Sequence, residues 1–134
     1  MKTAKVFILL AILLAAGTVT ANSASPGPVI LHEQDRGRAV SLQVGQKLLL
    51  YLRNPGSGGY SANPPIFDPA VLKLGPQKKL PPEPQEPPRL GDFGQLYYEW
   101  EALGRGETDI IINIFRPWEK KPPEEFWRVK VRVE

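Results

Sequence analysis

Leu96-Tyr97-Tyr98-Glu99-Trp100-Glu101-Ala102 alternates its side chains with a period of two. On a strand that spacing puts Leu96, Tyr98, Trp100 and Ala102 on one face and Tyr97, Glu99 and Glu101 on the other. The pattern recurs downstream, where Ile110, Ile112 and Ile114 alternate with Ile111, Asn113 and Phe115, and Trp127, Val129, Val131 and Val133 with Arg128, Lys130 and Arg132. Upstream, Val40, Leu42 and Val44 alternate with Ser41 and Gln43. Leu48 to Leu52 is a nearly continuous apolar run, as in a strand covered on both faces. No segment beyond residue 24 carries a sustained helical apolar period with caps.

The breaks between these runs are turn formers. Asn54-Pro55-Gly56-Ser57-Gly58-Gly59 separates two apolar stretches, Gly104-Arg105-Gly106 reads as a short hairpin, and Pro117 and Pro122-Pro123 interrupt the last pair. Short β-branched and aromatic strands with such loops make an all-β domain, and the size matches an immunoglobulin-like β-sandwich of about six to eight strands. There is no internal repeat. From 76 to 89, six of 14 residues are proline. Such a stretch cannot donate to a central sheet and is expected to be a stiff, polyproline-like loop, crossing from a strand ending near Gly75 to one starting near Gln95. As a ligand for a proline-recognising domain it would need a partner that exported proteins rarely meet.

The N-terminus reads as a secretory signal peptide. Lys2 and Lys5 precede an unbroken apolar run of 11 residues, Val6 to Ala16, and small residues follow at Val19, Ala21 and Ala24. Cleavage is expected after Ala21, with Ala24 as the alternative, giving a leader of 1–21 and a single domain of 22–134. The run is shorter than the roughly 20 residues of a membrane span, so no stable membrane anchor is expected. The product would be exported, periplasmic or secreted.

Loss of the leader also disposes of the basic charge. Of 17 Lys and Arg against 14 Asp and Glu, two lie in the leader, which leaves a net charge of +1. Nucleic-acid binders need a clustered basic stripe, whereas Lys78-Lys79 and Lys120-Lys121 are short doublets followed by prolines and glutamates, so no nucleic-acid partner is expected. With no Cys and one His, His32, the chain offers neither a thiol nucleophile nor a thiolate or multi-histidine metal site. His32 reads as a polar residue on a strand near the mature N-terminus. No cofactor and no metal are expected.

Catalysis finds little support. Glu99 and Glu101 share a strand face roughly 7 Å apart, which superficially suits glycoside chemistry. Paired glycosidase carboxylates normally come from separate elements lining a cleft, so a solvated outer face is the simpler reading. Ser41, Ser57 and Ser61 lack a histidine partner in a supporting context, and no phosphate loop is present. The chain reads as a binding protein, not an enzyme.

Three loops carry the features of a binding surface: Asn54 to Gly59, Gly91-Asp92-Phe93-Gly94, and Arg116-Pro117-Trp118 with Glu119. Glycines allow close backbone approach, prolines limit the entropy lost on ordering, and Trp and Arg are favoured binding anchors. In this order the loops resemble those of the chagasin-like inhibitors of papain-family cysteine peptidases, whose pattern is Asn-Pro-Thr-Thr-Gly-Tyr, Gly-x-Gly-Gly and Arg-Pro-Trp on an immunoglobulin-like sandwich. The first loop here runs through to Tyr60, has one residue more than the pattern, and carries Gly56, Ser57 and Gly58 in place of Thr-Thr. That substitution is expected to make it more flexible. The second keeps its outer glycines but has Phe93 at a glycine position.

The resemblance implies a reversible, non-covalent inhibitor; a monomer is expected. By position, Asn54, Pro55, Gly56, Ser57, Gly58 and Gly59 would enter the peptidase cleft beside the catalytic thiol. Gly91, Asp92, Phe93 and Gly94 would pass along one side, and Arg116, Pro117 and Trp118 would anchor the other. Tyr60 is assigned to the core beneath its loop, as are Trp100 and Trp127 from their alternating positions; for Trp118 the alternative is a cover over the sandwich edge. The competing possibility is an exported β-sandwich for adhesion or envelope assembly, binding through a sheet edge or the proline-rich loop.

Overall fold

A computed structural model describes residues 26–87 and 90–134. The expected leader, with either cleavage point, lies outside the described residues, as do Pro88 and Arg89 of the proline-rich stretch. The described chain forms eight strands: β1 Val29–His32, β2 Ala39–Leu42, β3 Lys47–Arg53, β4 Ser61–Ala62, β5 Leu72–Leu80, β6 Gln95–Ala102, β7 Gly106–Phe115 and β8 Glu124–Val133. They build two four-stranded sheets, ordered β1-β3-β6-β5 and β2-β8-β7-β4, packed as an all-β sandwich.

The period-two runs supply the inner faces. Leu48, Leu50 and Leu52 of β3 stand opposite Trp100, Tyr98 and Leu96 of β6, and all six are buried. From the other sheet, Ile110 and Ile112 of β7 stand opposite Val129 and Trp127 of β8, each 0% exposed. Burial of each such side chain contributes about 1.5–3 kcal/mol, so this two-sheet cluster holds a disulfide-free fold together. Trp127 also donates from Nε1 to the Glu33 carbonyl at 3.3 Å, fastening the segment after β1 to the core.

Several expectations are corrected. Gly104-Arg105-Gly106 does not make a hairpin, because β6 and β7 lie in different sheets and the segment carries the chain across the sandwich. β5 does not end near Gly75 but continues to Leu80 through a bulge that sets Gly75 and Pro76 against Glu99 alone. Proline is tolerated there because β5 is an edge strand. The proline-rich stretch therefore begins inside a strand and goes on into the β5–β6 connection within one sheet. Val44 is exposed in the turn after β2, outside the strand its alternation suggested. The outer face of β3 is only half covered, with Tyr51 beneath Tyr97 and His32, whose rings lie 5.0 and 5.7 Å away. β1 and β2 pair in parallel with β3 and β8.

This topology brings three loops to one end. β3 runs out at Arg53, β6 starts at Gln95, β7 ends at Phe115 and β8 starts at Glu124, all at one end of the sandwich. The three motif-bearing loops therefore emerge together.

Candidate functional site

Loop 1, residues 54–59, is a capped turn and not open chain. Asn54 Oδ1 accepts the Gly56 amide at 2.9 Å, Pro55 opens a 3-10 turn over Pro55–Gly58, and Gly59 closes it at φ 80° with its amide donating to the Gly56 carbonyl at 2.9 Å. Asparagine before proline is a favoured helix start, and a left-handed glycine a favoured stop. The glycines in place of Thr-Thr thus lie within a capped, hydrogen-bonded turn.

Loop 2, residues 91–94, is tied to loop 1 through Asn54. The Asn54 amide donates to the Gly94 carbonyl at 3.0 Å, and Asn54 Nδ2 to the Phe93 carbonyl at 3.4 Å. Asp92 Oδ1 accepts the Gly94 amide at 2.8 Å and tightens the turn. Gly94 has φ 83° and lies against the Leu80 carbonyl, where a Cβ would collide. The Phe93 ring covers Gly56 at a contact that likewise leaves no room for a Cβ on that glycine.

Loop 3 follows β7. Pro117 and Trp118 occupy the middle of a turn closed by the Glu119 amide on the Arg116 carbonyl at 3.0 Å. Arg116 is the strut between loops 3 and 1. Its Nε donates to the Gly58 carbonyl at 2.9 Å, Nη1 pairs with Glu119 Oε1 at 2.9 Å, and the guanidinium lies 4.2 Å from the centre of the Tyr60 ring. The hydrogen bond from Arg116, with help from Lys121, holds the Glu119 carboxyl below its usual range. A hydrogen bond to Glu124 is the main reason that the Tyr60 phenol is raised above its ordinary value. The Trp118 indole, 67% exposed, rests on Gly59.

Across this end the order is loop 2, loop 1, loop 3, with loop 1 in the middle. All thirteen residues singled out in the sequence come together here, in differing ways. Pro55 and Gly94 are buried and shape their loops, whereas Ser57, Gly58, Phe93 and Trp118 face outward. Tyr60 departs from its expected place in the core: it is half-buried under Arg116 at the rim. Glu119 and Leu90 belong to the same end, and neither had a pattern beyond its adjacency to a motif to mark it.

The carboxylates considered for catalysis lie elsewhere. Glu99 and Glu101 are on the outer face of β6, and Glu99 is held below its usual range by hydrogen bonds from Lys47 first and Tyr97 second. Among the described residues no group of three or more His, Cys, Asp or Glu is placed to hold a metal ion.

The chain is a two-sheet immunoglobulin-like sandwich whose loop 1 is braced by loops 2 and 3 at one end. Solved structures sharing this fold include the cysteine protease inhibitor EhICP2 from Entamoeba histolytica, 19% identical, with a TM-score of 0.63 over 81% of this chain and 96% of that one. The Leishmania mexicana ICP is 19% identical with a TM-score of 0.52, covering 75% of this chain and 90% of its own. PbICP-C, solved in complex with falcipain-2, is 16% identical with a TM-score of 0.50, covering 84% and 95%. No protein-family model matches the chain, and no curated protein sequence does. The likeness in fold agrees with the chagasin-like resemblance of the three motifs.

Proposed function

We propose that the mature domain, from residue 22, is a reversible, non-covalent inhibitor of papain-like cysteine peptidases that blocks the active-site cleft with loops 1, 2 and 3. The observation that carries this reading is the bracing of loop 1 from both sides, by Asn54 to loop 2 and by Arg116 to Gly58 from loop 3. A loop held in this way loses little entropy on binding, so contacts in the cleft appear as affinity. The fold shared with cysteine protease inhibitors, one of them in a complex with falcipain-2, supports the same partner class.

Inhibition of this kind requires no chemistry from the inhibitor. Loop 1 would fill the cleft beside the thiol, exclude water and substrate, and offer no extended peptide in a cleavable register. Loops 2 and 3 would rest on the two walls. The leader read from residues 1–21 would deliver the domain to a periplasm or release it, and it would act as a monomer. The adhesion alternative gains nothing from the β5 edge, which carries Lys73, Pro76, Lys78 and Lys79, residues that discourage strand addition.

Capture of papain whose thiol is blocked by a small group tests the non-covalent character. Immobilised mature domain is expected to retain blocked papain nearly as well as free papain. Binding that requires the free thiol would contradict a non-covalent plug.

A further inference from the structure

Seven large apolar side chains are well exposed among the described residues, and three of them, Leu90, Phe93 and Trp118, lie at the loop end. Trp118 already belongs to the proposed contact. Leu90 and Phe93 sit on the opposite flank of loop 1, at 95% and 51% exposure. Leu90 is so exposed that it contributes nothing to the core, and an exposed leucine alone needs no explanation; what singles it out is its place beside loop 1, three residues from Phe93. Phe93 is different: one part of its ring covers Gly56 while about half remains in solvent.

The geometry is two-sided. Loop 1 presents Gly56 to an aromatic ring from loop 2 and Gly59 to an aromatic ring from loop 3, and at both glycines a Cβ would collide with that ring. Gly91, between Leu90 and Phe93, lies beside Ser57, where a Cβ would be 3.9 Å from that serine's own. Leu90 and Phe93 are therefore carried directly next to the loop that would enter the cleft. The glycine at 56 and the phenylalanine at 93, both departures from the resembled pattern, fit one another sterically.

Resting on the inhibitor reading, we propose that Leu90 and Phe93 form a second apolar anchor, opposite Trp118, that docks on an apolar wall of the peptidase cleft. The target class is thereby narrowed to peptidases whose cleft carries apolar side chains on the wall facing loop 2. Desolvated aromatic anchors dominate binding energy, and two anchors on opposite walls fix the orientation of the loop between them.

The test measures inhibition constants against papain for the wild-type mature domain and for Phe93→Ala, Leu90→Ser and Val44→Ser, each shown folded by its melting transition. Phe93→Ala and Leu90→Ser are expected to weaken inhibition by about fivefold or more. Val44→Ser, exposed at the far end, should leave it unchanged. Leu90 is too exposed to hold a loop in place, so its loss reports contact alone. Inhibition within about twofold of wild type for both variants overturns the anchor and leaves the inhibitor reading standing. Weakening by Phe93→Ala with none by Leu90→Ser also overturns it, reducing Phe93 to a support for Gly56. A wild-type domain that does not inhibit overturns the inhibitor reading and the anchor with it.

Discussion

Gly59 lies directly under the indole of Trp118, so close that a Cβ on Gly59 would overlap the ring. The same glycine has φ 80°, a left-handed conformation that other residues enter at a cost of about 1–2 kcal/mol. The most exposed aromatic ring of the site is therefore seated on a position that tolerates no side chain.

Gly59→Ala should displace Trp118 and distort the end of loop 1 together. Inhibition is expected to weaken by tenfold or more, about 1.4 kcal/mol, with a modest loss of stability from the strained backbone. Inhibition constants and melting temperatures measured side by side check it. Unchanged inhibition would mean that the Trp118 seat is unimportant.

Arg116 spends its hydrogen-bonding capacity inside the protein, on Gly58 and Glu119, while stacking on Tyr60. Arg116→Lys keeps the charge but loses the planar fork that reaches both partners. It is expected to weaken inhibition nearly as much as Arg116→Met, and stability should change little because exposed ion pairs contribute little. Full rescue by lysine would show that charge alone matters.

The Glu119 carboxyl titrates below its ordinary value of 4.5 because the folded protein stabilises its charged form. The unfolded chain therefore takes up this proton first, and the pair's contribution is present above about pH 4.5 and lost as pH falls through the folded value. An NMR titration of the Glu119 side chain should show a midpoint under 4.5 that moves upward in Arg116→Ala. A midpoint indifferent to that substitution would sever the link between the two residues.

Ile112 is fully buried opposite Trp127 in the centre of the sandwich. Ile112→Ala should cost about 2–5 kcal/mol of unfolding free energy, from lost burial and the cavity left behind. Chemical denaturation measures it, and a loss below about 1 kcal/mol would contradict the assigned core.

Most of the sandwich could be read from side-chain alternation, because inner-face residues such as Trp100, Ile112 and Val129 must recur every second position. What alternation cannot reveal is which neighbours pair. Gly104-Arg105-Gly106 has a hairpin's composition, yet the chain uses it to change sheets. Pro76 has a loop's composition, yet an edge strand with a bulge accommodates it. β4 has only two residues, too few to show a period.

The loops of the candidate site were legible as three motifs, since glycine, proline and asparagine at loop 1 carry their turn chemistry locally. The bracing was not. Gly56 against Phe93, Gly59 against Trp118 and Gly58 against Arg116 join residues 37 to 59 positions apart, and only the tertiary fold brings them together. Tyr60 misled for a similar reason: a tyrosine at the edge of an apolar stretch looks like core until Arg116 is found stacked above it.

The most direct measurement is competitive inhibition of papain by the folded mature domain, residues 22–134, compared with Trp118→Ala. The wild-type domain should raise the apparent KM for a peptide substrate without changing kcat, and the variant should bind about 2–4 kcal/mol more weakly while keeping its melting transition. No inhibition by the folded wild-type domain at high micromolar concentration would contradict the assignment.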